Sequence, residues 1–360
     1  MKRNKYIICL LLICSVLVVD AQNSHEAPAE ELDVNAMILE HVGDAYDWHI
    51  TSFNHTHISI PLPVIVKSEE GGWHLFSSAR FHHGHESYHG FSIAQDGDYK
   101  GKIVETLANG EIVRPWDFSL TKNAVALLMS SIILIILVLS CAGWYKKRLG
   151  KPEESSPKGF VAFMELLIMS LVDDVIKPCI GKNYARYTPY LLTVFFFIII
   201  NNLIGLIPVF PGGANVTGNI AITFTLAVFT FVIVNVFGTK EYWKEIFWPD
   251  VPVWLKIPPI IPVIELIGIF TKPFALMVRL FANILAGHSI VLGLVSIVFL
   301  TVSMGTLGNT LMSAFSVVMT VFIDFIELLV AYVQAYVFTM LSAVFIGLAQ
   351  IEPHHKAVEN

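Results

Sequence analysis

Two apolar stretches near the C-terminus, 257–303 and 307–350, constrain this chain more than any other feature. A bilayer core of about 30 Å is crossed by roughly 20 helical residues, so each stretch is about twice as long as one upright crossing needs. Lys272-Pro273 offers a place to divide the first stretch, but the part before it holds Pro258, Pro259 and Pro262 and is too short to span. The second has neither a proline nor an interior glycine before Gly347 to support a turn near Asp324 and Glu327. Both therefore read as single, long, strongly tilted helices packed on each other. Only a short uncharged link, within "MGTLGN" at 304–309, joins them.

The remainder of the chain belongs to the same class. With 55% hydrophobic and 14% charged residues and a mean hydropathy of +0.65, it reads as an all-α polytopic membrane protein with a small exported N-terminal domain. The net charge of −6 is not gathered into basic runs, which excludes a nucleic-acid surface. Residues 1–21 have a basic start, an apolar run and a small-residue end, the pattern of a secretory signal peptide; an uncleaved anchor is the alternative. Residues 22–117 are polar, His-rich and mixed, with some strand character, and are expected in the periplasm. Shorter apolar runs at 118–142, 190–207 and 220–237 read as spans. The segment 159–180, with Glu165, Asp173, Asp174 and Lys177 at helical spacing, reads as an interfacial helix.

Orientation follows from charge. Lys146, Lys147, Arg148 and Lys151 follow the first span, and Lys182, Arg186, Lys240, Lys244 and Lys256 fill later links, whereas the turn "PVFPGGANVTG" has no Lys or Arg. The positive-inside rule puts the basic links and the tail 351–360 in the cytoplasm. Cys141 and Cys179 form no metal spacing or disulfide framework, no nucleotide-phosphate motif is present, and neither half repeats the other.

The stretch "KPFALMVRLFANILAGHSIV", 272–291, carries Arg279 at bilayer depth. Such a charge costs about 2.5–3.5 kcal/mol on insertion scales and normally faces a bundle interior, a polar cavity or a partner's acid. Snorkelling is the alternative, and the apolar turns on both sides of Arg279 oppose it. Asn283, at i+4, shares the arginine's face, while His288, nine residues on, projects from the opposite one. Glu265, fourteen residues earlier, falls on the arginine's face about 20 Å along the axis, suited to a second aqueous route.

On the last helix Asp324, Glu327 and Gln334 share one stripe, with Ala331 leaving room for a helix or for water. A His beside a carboxyl can share its proton, so these groups read as a membrane relay, and polar glue between helices is the other reading. For Asp324 a place facing an outer aqueous vestibule is a separate alternative to membership of the relay. An arginine that never releases its proton can block a leak between two half-paths and attract an acid on a moving partner.

These residues closely resemble the a subunits of the F-type ATP synthases over about 118–350. "KPFALMVRLFANILAGH", "IELLVAYVQAYVF", "YLLTVFFFIIINNLIGLIP" and "NVTGNIAITFTLA" carry the resemblance. It implies a proton-translocating stator subunit in a bacterial inner membrane, not catalytic alone and without a cofactor, whose partners are a ring of c subunits and a b-subunit peripheral stalk. It implies that Arg279 meets the c-subunit carboxylate, that Asn283, His288, Glu327 and Gln334 belong to an uptake half-channel, and that Glu265 belongs to a release half-channel. Asp324 lies outside the matched motif. His82, His83, His85 and His89, with His49, His55 and His57 upstream, are candidate zinc or copper ligands or a solvated histidine surface. A free-standing metal transporter that uses them as a collector is the rival function.

Overall fold

The computed structural model describes residues 43–53, 56–69, 71–84, 86–107, 110–147, 157–207, 212–248 and 260–350, all within the unit Ile38–Asn360. Residues 1–21, read as a signal peptide, the tail 351–360, His55, His85 and the side chains of His49, His57 and His83 lie outside these residues.

Up to Asp117 the described chain is mostly β, so "all-α" applies only from Lys122 onward. Strands β1 (Asp47–Phe53) and β2 (Thr56–Pro61) pair antiparallel. A second sheet has β3 (Pro63–Lys67) between β4 (Trp73–Ser77) and β8 (Trp116–Asp117). A third joins β5 (Phe91–Ile93), β6 (Ile103–Thr106) and β7 (Ile112–Val113). Alternation in "PVIVK" explains why a strand wins here, because Val64 and Val66 point to one face and pack with Tyr46, Phe81, Phe91 and Ile103. The Tyr46 hydroxyl donates to Asp117 Oδ2 at 2.5 Å, and the Ser68 hydroxyl donates to Glu105, tying two sheets together. Burial raises the Tyr46 phenol well above its ordinary range, with the Asp117 hydrogen bond adding to the shift.

Helix α1 (Lys122–Lys146) starts four residues after Phe118, where the apolar run begins. The Phe118 and Leu120 amides donate to the Ile65 and Pro63 carbonyls, continuing the β8 ladder until Thr121 caps the helix by accepting from the Ala124 amide. Helix α2 (Phe160–Ser170) runs through a π-helical turn, Leu171–Ile176, into the short α3 (Lys177–Ile180), which ends at Gly181 with φ of 74°. Helices α4 (Tyr184–Gly205) and α5 (Ile220–Val236) follow. Helix α6 (Lys240–Phe247) bends 97° from α5, capped by Thr239, and buries Tyr242 and Ile246 against Ile269 and Ala349. Its charged sequence read as a link, yet the apolar pair at i and i+4 gives it one buried stripe.

The two long stretches are the single helices α7 (Ile260–Leu300), which contains Pro273, and α8 (Gly305–Ala349). A 3-10 turn, Thr301–Met304, and Gly305 with φ of 78° reverse the chain between them. At 1.5 Å per residue they are roughly 60 and 70 Å long, so neither fits a 30 Å core without steep inclination. Leu276, Leu280 and Ile284 of α7 meet Phe195 and Ile198 of α4 and Ala335 and Phe338 of α8 in the main core. At Gly347 an added Cβ would lie 1.9 Å from the Cys179 carbonyl oxygen, so glycine permits the contact between α8 and α3. By length and composition, three helical segments can cross a membrane among the described residues, or four if the bent α5–α6 pair is one span.

Candidate functional site

The two faces of α7 hold different chemistry. Leu276, Met277, Leu280 and Ile284 are buried, whereas Arg279, Asn283 and Glu265 are exposed. Ala275, Ala282 and Ala286 are exposed too, so short side chains flank the arginine on its open side. Small residues let a second helix approach closely. Arg279 thus projects away from its own chain's core, and no described acid pairs with it.

On the other face His288 is half-buried, with Nδ1 3.2 Å from Oε1 of the buried Glu327 on α8. The separation suits an ion pair, but the atoms are not aligned as a hydrogen bond, and Oε1 has no hydrogen-bond partner. A glycine makes room for the pair: a Cβ at Gly287 would come within 2.9 Å of Glu327 Oε1, whereas one at Gly205 would lie at an ordinary contact distance, 3.7 Å, from His288 Nε2.

Gln334, seven residues beyond Glu327, is also buried, and so is Ala331 between them. The small Ala331 exposes its carbonyl oxygen to Asn202 of α4, whose Nδ2 donates to it at 3.1 Å. Asn202 Oδ1 in turn accepts from the Thr217 hydroxyl at 2.7 Å. The buried Asn201 Oδ1 and Asn215 Nδ2 have no hydrogen-bond partner. This polar group behind the His288–Glu327 pair is the part that sequence reasoning missed. The signal was available, since Asn201 and Asn202 interrupt an otherwise apolar run and a buried amide seeks partners.

Asp324 is exposed on α8, apart from the buried stripe of Glu327 and Gln334. In the β region His82 is exposed, 3.6 Å from Glu86, and the His89 ring meets the Tyr88 ring edge to face. Among the described residues no group of three or more His, Cys, Asp or Glu side chains is arranged to hold a metal.

Long apolar helices, a cation on an open helix face and an imidazole–carboxylate pair on the reverse define a polytopic membrane protein with ionisable groups built into its longest helix pair. The chain belongs to the ATP synthase A chain family, whose sequence profile matches residues 125–347. It is 43% identical over 258 residues to ATP synthase subunit a of Chlorobium phaeobacteroides, covering 68% of this chain and 71% of that protein. It is 44% identical over 246 residues to ATP synthase subunit a 2 of Chlorobaculum tepidum, covering 66% and 65%. The subunit a of Chloroherpeton thalassium is 39% identical over 246 residues, covering 67% and 69%. A second profile, a domain of unknown function (DUF8433), matches residues 37–118. The boundary between the two profiles falls where β8 gives way to α1.

Proposed function

We propose that this chain is the proton-translocating stator subunit of an F-type ATP synthase, passing protons to and from a ring of c subunits so that a transmembrane gradient drives rotation and ATP synthesis elsewhere in the complex. The observation that carries the reading is the division of α7: a permanent cation on an open face lined by alanines, and a titratable pair on the closed one. The open face suits a passing c-subunit helix, because an unpaired arginine at bilayer depth gains most from a carboxylate brought by a partner. His288, Glu327 and Gln334, backed by Asn202 and Thr217, form the uptake half-channel. Asn283, beside Arg279, stands where that path hands over to the ring. Glu265, on the arginine's face about 20 Å away at 1.5 Å per residue, serves the release half-channel.

Arg279 keeps the two routes apart because its guanidinium does not deprotonate. Each proton crossing yields about 2.3 kcal/mol per 100 mV. The chain lies in a bacterial inner membrane with residues 22–117 in the periplasm and the C-terminus in the cytoplasm, held against the ring by a b-subunit stalk. The rival, a free-standing metal transporter, has no support: the relatives are subunits of ATP synthases, and the spans offer one histidine, His288, already against Glu327. Arg279→Ala in the assembled complex tests the reading. ATP-driven proton pumping should vanish while hydrolysis by the detached catalytic head persists; normal coupled pumping would reject the assignment.

A further inference from the structure

The sheet β4–β3–β8 has a second apolar face that the core does not use. Register defines three rows across it: Trp73, Lys67 and Trp116; Leu75, Ile65 and Phe118; Ser77, Pro63 and Leu120. These side chains point away from Val64 and Val66, which fill the core on the reverse. Relative exposure is 62% at Trp73, 73% at Leu75, 69% at Trp116 and 55% at Phe118, and the Trp73 and Phe118 rings lie 5.6 Å apart. A solvated sheet face would be polar at these positions, so an apolar cluster of this size marks a contact.

What the face contacts follows from how it is attached. No flexible linker separates it from the membrane helix: the β8 ladder continues to Leu120, Thr121 caps, and α1 begins at Lys122. The 25 residues of α1 extend roughly 37 Å, more than the ~30 Å hydrocarbon core, so its start emerges at the hydrocarbon edge. Rows in a strand are about 6.7 Å apart. Leu75, Ile65 and Phe118 therefore stand roughly 7 Å beyond Leu120, and the Trp73–Lys67–Trp116 row roughly 13 Å beyond it. Headgroups fill about 5–8 Å on each side of the core, which takes in the middle row; with the strands inclined to the membrane normal, so that this face leans onto the layer, the tryptophan row comes down to its outer edge. Two tryptophans with a lysine between them are the side chains that a bilayer interface selects.

We propose that the outer face of this sheet is a lipid-binding surface, which lies against the phospholipid headgroup layer around the start of α1 and fixes the height of the β region over the membrane. A photoactivatable phenylalanine analogue replacing Leu75 or Trp73, in the full chain within the assembled complex in whole cells, tests this. Exposed Glu69, in the turn beyond the Lys67 row, gives the reference. Both face positions should yield phospholipid adducts at least tenfold above Glu69. Adducts mainly to another polypeptide, or adduct levels no higher than at Glu69, would overturn it. Using two exposed positions keeps the test readable if one probe lowers expression.

Discussion

Arg279 and His288 are nine residues apart on one helix, yet their surroundings are opposites. The arginine has alanines beside it and open space in front; the histidine has a buried glutamate 3.2 Å away, a glycine that makes room for that carboxylate and an asparagine–threonine pair behind. A protein that needed Arg279 only for its own packing would have given it an acid, because leaving a charge unpaired at bilayer depth is costly. The difference teaches that one side of α7 is finished within this chain, whereas the other leaves its charge without an acid among the described residues, as the proposed contact with a ring requires.

The sharpest way to break that contrast is to move the cation by one residue. Arg279→Leu combined with Leu280→Arg turns the charge from the open face into the core of Phe195 and Phe338. An unpaired buried charge costs on the order of 3 kcal/mol or more. The double variant should fail to accumulate in membranes, whereas Arg279→Leu alone should accumulate normally and lose only pumping. Immunoblotting of membrane fractions separates the two outcomes.

The closed face is tested by treating its pair as a unit. Glu327→Gln and His288→Ala should each slow proton uptake at least tenfold, about 1.4 kcal/mol in barrier, and the double variant should lose little more than either single one. Additive losses would mean that the two groups act separately. A smaller effect is expected at Gly287→Ala. Its methyl would come within 2.9 Å of the Glu327 carboxylate, which can swing away because it is the end of a flexible side chain. Assembly should be unchanged and proton uptake reduced two- to fivefold. An unaffected rate would show that the position of the carboxylate is not critical.

Much of this contrast is legible in the sequence because a helix of 3.6 residues per turn fixes which residues share a face. Arg279, Asn283 and Glu265 fall together by spacing alone, and His288 falls opposite. Tertiary partners are another matter. Nothing in the spacing of "IIINNLIG" tells that Asn202 would reach the Ala331 carbonyl on a helix 129 residues away, or that Thr217 would complete the link. Helix α6 escaped because its charges resemble a loop, although Tyr242 and Ile246 give it a buried stripe. Helix α1 starts at Lys122 rather than at Phe118 because the residues between them continue the β8 ladder, and hydrophobicity alone does not distinguish such a strand from the helix that follows it.

The claim that the open face of α7 meets the ring is tested most directly by disulfide trapping in the assembled complex, with cysteines placed along the c-subunit helix that carries the carboxylate. Asn283→Cys should cross-link to the c subunit, and His288→Cys, on the opposite face of the same helix, should not. Cross-linking at His288→Cys without any at Asn283→Cys would contradict the account.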